Sequence, residues 1–281
     1  MMVNTNLIKL FSFFLKKLSV IITLSFGNKI SSSYFGEMKK KKSADLNPHV
    51  SVDCVVFGFN DQKLKVLLIE REKIPRVHLK GHKLKLPGSL ISEAEDLDIS
   101  ASRTLKELTG INNIYLKQFG VFSSPGRLAP PEDLSWLRKT SGLVVDRVVT
   151  VAYYSLIKIM ESNTTEKTIW QPINEVPDLI FDHNVIVNRA LEALRKEIRT
   201  EPLCFELLPK KFTIRQMQNL YEAILGEKLD NRNFRKKIKP LEFLMPLEEK
   251  EKEVNHKPAQ LFKFDKRLYE KHRKVVSGFN L

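Results

Sequence analysis

The sequence predicts an α+β chain with two folded parts, a sheet-and-helix domain over residues 46–200 and a smaller helical domain with a hairpin over 201–281. Three observations carry this. Apolar residues alternate at Val50, Val52, Cys54 and Val56, run together at Leu64–Ile69, and return in Val148–Ile157, the strongest strand signal in the chain. Between those strands Leu97, Ala101, Leu105 and Leu108 recur at three- and four-residue spacing, which is a helix packed on one face. Beyond residue 201, two punctuated helices follow each other across a tight turn and lead into two short apolar runs.

Taken in order, residues 1–45 are expected to be an upstream extension or a disordered tail. Their apolar stretch is broken by Lys16 and Lys17, too short on either side to span a bilayer and without the pattern of a cleaved signal. N-terminal sequencing of the native protein tests this. From His49 the strands begin, and Asn60–Gln62 reads as a hairpin turn into Leu64–Ile69. Residues 73–86 are basic and polar and lead to the loop before the helix, which Gly110 stops. A strand is expected over Ile114–Phe122, a long loop containing Pro130, Pro131 and Trp136, a strand over Val144–Ile159, a last strand at Trp170, and a helix over Asn184–Arg199. Glu201-Pro202 is the expected boundary.

In the second part Thr213 is the N-cap of a helix whose apolar face is Ile214, Met217, Leu220, Tyr221 and Ile224, with Gly226 as its stop. Asp230 caps a second helix, 230–239, that buries Phe234 and Ile238 and crowds cations on its other face. Two helices across a tight turn, the second basic, form a helix-turn-helix, and the runs 241–247 and 259–264 supply the strands of a wing.

Composition sharpens the reading. The net charge is +14 over 281 residues, distributed as +6 in residues 1–45, +2 in 46–200 and +6 in 201–281. A basic C-terminal part points to a polyanionic partner, first of all DNA. Asn231, Arg232, Asn233 and Arg235 are placed to meet base edges. Lys236, Lys237 and Lys239 are nearer phosphates, with backbone contacts added by Arg215, Gln216, His256 and Lys257. One such helix buries little, so a homodimer reading two half-sites of an operator is expected. Cys54 and Cys204 offer neither metal spacing nor a disulfide framework, which suits two buried thiols in a reducing cytoplasm.

The loop-helix-loop of residues 89–111 resembles the signature of the Nudix hydrolases, G-x5-E-x7-R-E-U-x-E-E-x-G-U with U a bulky aliphatic. Glu95, Arg103, Leu105, Glu107, Gly110 and Ile111 fall in register, whereas Ser89, Thr104 and Leu108 replace a glycine and two glutamates. The resemblance implies a Nudix-type α/β/α sandwich, and the glutamates expected at 104, 107 and 108 would share one helix face to hold divalent metal. With only Glu107 left of those three, metal-assisted hydrolysis is not expected, and no cofactor is expected; magnesium would be required if hydrolysis were retained.

A degenerate Nudix domain followed by a winged helix-turn-helix domain resembles the Nudix-related transcriptional regulators of bacteria. That resemblance implies a cytoplasmic DNA-binding regulator whose Nudix domain senses a small-molecule effector, either a pentose sugar or an ADP-ribose-type nucleotide. The alternative is a Nudix hydrolase acting on ADP-ribose-like nucleoside diphosphate derivatives. The effector is expected between the 73–86 approach, the box and the 123–147 loop. Arg127 and Arg147 are its expected donors, with Glu132, Asp133 and Asp146 as competing partners for both.

Overall fold

A computed structural model describes residues 45–273 apart from 61–62, 73–81, 130, 160–165, 167, 200–204, 206, 253–254 and 256. The N-terminal extension, the boundary at Glu201-Pro202, Cys204 and His256 therefore lie outside the described residues.

Strand β1, Leu46–Phe59, is the spine of a seven-stranded mixed sheet. Every residue from Ser51 to Phe59 is buried, as expected of a strand covered on both faces. It pairs in parallel with β6, Val149–Lys158, and antiparallel with β2, Leu64–Glu70, and β4, Gly88–Ser92. Outside them lie β3, Leu84–Lys85, and β7, Thr168–Pro172, both on β2, and β5, Lys117–Phe122, on β6. The period-two alternation of β1 decides the layers. Val52, Cys54 and Val56 face helix α1, Leu97–Thr109, and pack on its Ala101 and Leu105. Val55, Phe57 and Phe59 face the opposite way, in one cluster with Ile186, Ala190 and Leu194 of α3, His183–Glu197. The result is the α/β/α sandwich expected from the sequence, in which each such fully buried large side chain contributes ~1.5–3 kcal/mol.

One expectation is corrected. The long stretch between β5 and β6 is not a bare loop: Pro131–Ser141 is a helix, α2. Pro131 opens it where the missing N–H costs nothing, Glu132 and Asp133 lie in its first turn, and Gly142, at φ 70°, closes it by donating to the Arg138 carbonyl at 2.9 Å. Several boundaries also move. The first strand starts at Leu46 rather than near His49, and those expected from Ile114 and Val144 start at Lys117 and Val149.

The C-terminal elements are α4, Ile214–Leu225, and α5, Asn231–Ile238, with a three-stranded sheet ordered β8, β10, β9 from Phe212–Thr213, Gln260–Phe264 and Leu244–Lys250. Helix α6, Lys266–Arg273, follows. Thr213 and Gln216 form a complete capping box, and the Asp230 side chain accepts from the Asn233 N–H at 2.8 Å. Phe205, Phe212, Phe243 and Phe264 make an aromatic core in which Phe205 stacks on Phe264 at 4.4 Å. This core is continuous with the α3 side of the large sheet, because Leu191, Leu194 and Ile198 share one cluster with Met217, Leu220, Tyr221 and Ile224.

Candidate functional site

The signature helix is built as the sequence predicts, but its charges are already spent on each other. Arg103 donates from Nε to both oxygens of Glu95, at 2.8 and 3.0 Å, and from Nη1 to Glu107 at 2.9 Å. Thr104 is fully buried, and its Oγ1 has no hydrogen-bond partner among the described residues. Leu108 is half-buried. The three positions at which the signature places metal-binding glutamates thus offer one carboxylate, which a guanidinium already neutralises. Magnesium needs several hard oxygens, so these residues do not fit it.

A different chemistry gathers on the opposite face of the sheet. Ser51 and Asp53 of β1, Lys85, Gly88 and Ser89 before the signature helix, Arg127 after β5, Trp136 of α2, and Phe181 with His183 at the start of α3 line a cavity of about 60 Å³. That volume holds a few waters and is below the several hundred cubic ångströms typical of a ligand site. Helix α2 forms one wall, with the Trp136 ring 6.4 Å from that of Phe181.

The cavity is charged but balanced. Arg127 donates to Asp182 twice, from Nε at 3.2 Å and Nη2 at 2.8 Å, and its Nη2 lies 3.8 Å from Asp53. Burial raises the Asp182 carboxyl above its usual range, although Arg127 pulls it down. Lys85 Nζ donates to the Leu86 and Gly88 carbonyls at 3.3 and 3.0 Å, and burial lowers its ammonium below the ordinary lysine range against the pull of Asp53. Gly88 is required here, since a Cβ would collide with the Asp53 carboxylate. His183 Nδ1 accepts the Leu86 N–H at 3.0 Å, which places its proton on Nε2, 3.5 Å from Asp53. Burial lowers its pKa from 6.5 to about 4, so the ring is neutral at neutral pH and the Asp53 contact is not an ion pair. Behind the wall, buried Arg71 is paired with buried Asp133 of α2, and its guanidinium carbon lies 5.2 Å above the Trp136 ring.

The sequence-predicted donors separate in this arrangement. Arg127 lines the cavity, and its partner is Asp182, not one of the three nearer acids; Asp133 is taken by Arg71 and Asp146 by Arg138. Arg147 is exposed, donates to the Ser123 carbonyl at 3.3 Å and is not in the lining. Asp53, Lys85, Asp182 and His183 were not singled out from sequence. The available signal was Asp53, a carboxylate within an otherwise apolar buried strand.

The second candidate surface is α5. Asn231, Arg232, Asn233, Arg235, Lys236, Lys237 and Lys239 are all exposed, while Phe234 and Ile238 are buried, Phe234 against Tyr221. Asn231 Oδ1 accepts from Arg235 Nε at 3.0 Å, so these two side chains are presented as a unit. Arg215 is exposed in the first turn of α4, whereas the Gln216 Oε1 is occupied by the capping box, accepting the Thr213 N–H at 2.8 Å. The turn between the helices is latched by Gln218 and Glu222. Gln218 donates to Glu222 and to the Leu229 carbonyl, and Glu222 also accepts the Leu229 N–H. Burial would raise the Glu222 carboxyl, but these bonds and Lys228 hold it below its usual range. Lys257 sits between β9 and β10, on the wing.

The comparisons with known proteins agree with this geometry. A family model described as the NrtR DNA-binding winged helix domain matches residues 204–264. The chain is 28% identical over 232 residues to the ADPR responsive transcriptional repressor NtrR of Acinetobacter baylyi, covering 80% of this chain and 85% of that protein. It resembles the crystal structure of Shewanella oneidensis NrtR complexed with a 27mer DNA, with a TM-score of 0.59, 25% identity, and 79% of this chain and 95% of that one covered. Residues 204–264 thus match a winged-helix family, and the chain as a whole is similar to Nudix-related winged-helix regulators. It is also 28% identical over 148 residues, 53% of this chain and 76% of the other, to the ADP-ribose pyrophosphatase of Methanocaldococcus jannaschii. Among the described residues, no helix is long and apolar enough to cross a membrane.

The residue types on α5 imply different mutant phenotypes. Arg232→Ala is expected to cost roughly 1–3 kcal/mol on its preferred DNA and relax specificity at one base pair. Lys237→Ala is expected to weaken all sequences alike and reduce the salt slope by about one. Mobility-shift titrations at several salt concentrations separate the two.

Proposed function

We propose that the chain is a cytoplasmic transcriptional regulator that binds operator DNA through residues 201–281, as a homodimer on two half-sites, and senses an ADP-ribose-type nucleotide through residues 46–200. The observation that carries the reading is the pairing of two features in one chain. A basic, exposed helix stands in a winged helix of the matched family, and a signature helix has kept one of three metal-ligand glutamates. A domain that has lost two of three metal-ligand glutamates but kept its fold is suited to binding a nucleotide without cleaving it.

Two observations favour a nucleotide over a pentose sugar. The repressor of A. baylyi is described as responsive to ADPR, and this chain is similar to it over most of its length. The cavity also offers Arg127 and Lys85 for phosphates and the Trp136 and Phe181 rings for a base, a fuller match to a nucleotide than to an uncharged sugar. The hydrolase reading draws on the similarity to the M. jannaschii pyrophosphatase, but the contents of positions 104 and 108 weigh against it.

Titration calorimetry with ADP-ribose and with arabinose tests the reading. ADP-ribose is expected to bind the wild-type protein and to lose most of its affinity in Arg127→Ala, while Arg147→Ala, outside the lining, has the smaller effect. No cleavage of ADP-ribose is expected with magnesium present. Turnover at about 1 per second or faster would make the protein an enzyme.

A further inference from the structure

Helix α3 joins the cavity to the DNA-binding helices. At its N-terminus Asp182 occupies the N-cap position, yet its carboxylate caps nothing and is turned onto Arg127. Its backbone, at φ −96° and ψ 23°, departs from the extended conformation usual for an N-cap. The preceding residue, Phe181, holds φ at 53°, an unfavourable value for a bulky side chain. The Arg127 ion pair thus shares in holding the start of α3 in a locally poor arrangement, beside the bonds of His183 to Leu86 and of Asn184 to Leu179 and Pro177. The His183 and Val185 N–H groups of the first turn donate to the Ile180 and Asp182 carbonyls at 3.2 and 2.9 Å.

At the other end, Arg195 Nε donates to the Ile224 carbonyl at 2.9 Å, capping the last turn of α4. Arg195 Nη2 sits where Gly226 would carry a Cβ, 2.5 Å away, and Arg199 pairs with Glu227 at 3.0 Å. The turn that orients α5 is therefore gripped by the C-terminal end of the helix whose N-terminal end lines the cavity. Between the ends, α3 shares its apolar cluster with α4, so a shift of α3 must be followed by α4.

We propose that Asp182 is an internal competitor for Arg127, standing where an anionic group of the effector binds, and that its displacement moves α3 and, through Arg195, the turn that orients α5. The inference rests on the proposed function, since it assigns that effector's phosphate to Arg127. It makes one helix the two-state element that both sites bias.

The test uses the full chain, ADP-ribose as the ligand and a labelled DNA fragment from upstream of its own coding sequence. Asp182→Asn removes the competing charge and is expected to bind ADP-ribose about fivefold more tightly or better, a gain that misfolding cannot produce. Arg195→Ala is expected to bind ADP-ribose with wild-type affinity and to lose most of the ligand-induced change in DNA affinity, with Arg195→Lys, which keeps a donor, recovering part of it. Unchanged or weaker ADP-ribose binding in Asp182→Asn, or a full wild-type response in Arg195→Ala, overturns the inference while leaving the function reading intact. Failure of the wild-type protein itself to bind ADP-ribose overturns both.

Discussion

Asp133→Ala is expected to destabilise the protein by about 3–5 kcal/mol, because it leaves the Arg71 guanidinium buried without its counter-ion. Both side chains are almost completely shielded, at 2% and 0% exposure; Arg71 bonds Asp133 and the His82 carbonyl through Nη1, and its Nε and Nη2 have no hydrogen-bond partner among the described residues. Asp133 also ties α2 to Arg71 beside the end of β2, together with the Trp136 Nε1 bond to the Glu72 carbonyl, so its loss should loosen the cavity wall as well as lower overall stability. Urea denaturation measures the first effect. Quenching of Trp136 by acrylamide, measured in a Trp170→Phe background, reports the second, and it should rise in the variant at urea concentrations where the sheet remains folded. The double change Arg71→Met with Asp133→Leu, which removes both charges, should recover much of the loss. A loss below 1 kcal/mol in Asp133→Ala would mean that the pair is not shielded as described.

The second large effect is a dependence on pH set by His183. In the folded protein burial keeps the ring neutral down to about 4, whereas an unfolded histidine takes up its proton near 6.5. Between these values the unfolded chain binds the extra proton, so stability is complete above 6.5 and declines as the pH falls toward 4. The decline attributable to this residue is about 3 kcal/mol. His183→Asn has no titrating ring, so its stability, though lower at neutral pH, should fall less over the same window. Equal slopes for the two proteins between pH 6.5 and 4 would remove His183 as the cause. A proton on Nδ1 would also cost the bond from the Leu86 N–H, so acid should loosen the segment that leads into the signature helix.

Much of the framework was legible because its signals are local. Thr213, Asp230, Gly110 and Gly226 act through hydrogen bonds or a left-handed φ within one turn of where they stand, and each was read correctly from its neighbours. The alternation in β1 likewise identifies the Val52, Cys54 and Val56 face that packs on α1, whereas the burial of the opposite face, with Ser51 and Asp53, carries no local signal. Helix α2 escaped because the Pro130-Pro131 pair at its start and its short apolar set, Leu134, Trp136 and Leu137, read as a lid loop, although Pro131 and Gly142 are the punctuation of a helix. The cavity was only partly legible. The position expected for the effector, between the 73–86 approach, the box and the 123–147 loop, shares Lys85, Ser89, Arg127 and Trp136 with the cavity lining, but the other polar members come from β1 and the start of α3. No spacing rule joins residues so far apart. Proximity in sequence even misdirected the partner of Arg127: Glu132 and Asp133 are near in the chain, yet Asp182, 55 residues on, is what it holds.

The α5 face and the cavity acquire a common purpose only if one responds to the other. The most direct test is the affinity of the full chain for its own upstream DNA, measured by fluorescence anisotropy at fixed salt with and without ADP-ribose. The account predicts specific binding that exceeds binding to random DNA and is changed at least several-fold by ADP-ribose, with the nucleotide recovered intact. Equal, weak binding to operator and random DNA, or specific binding that ADP-ribose leaves unchanged, would contradict it.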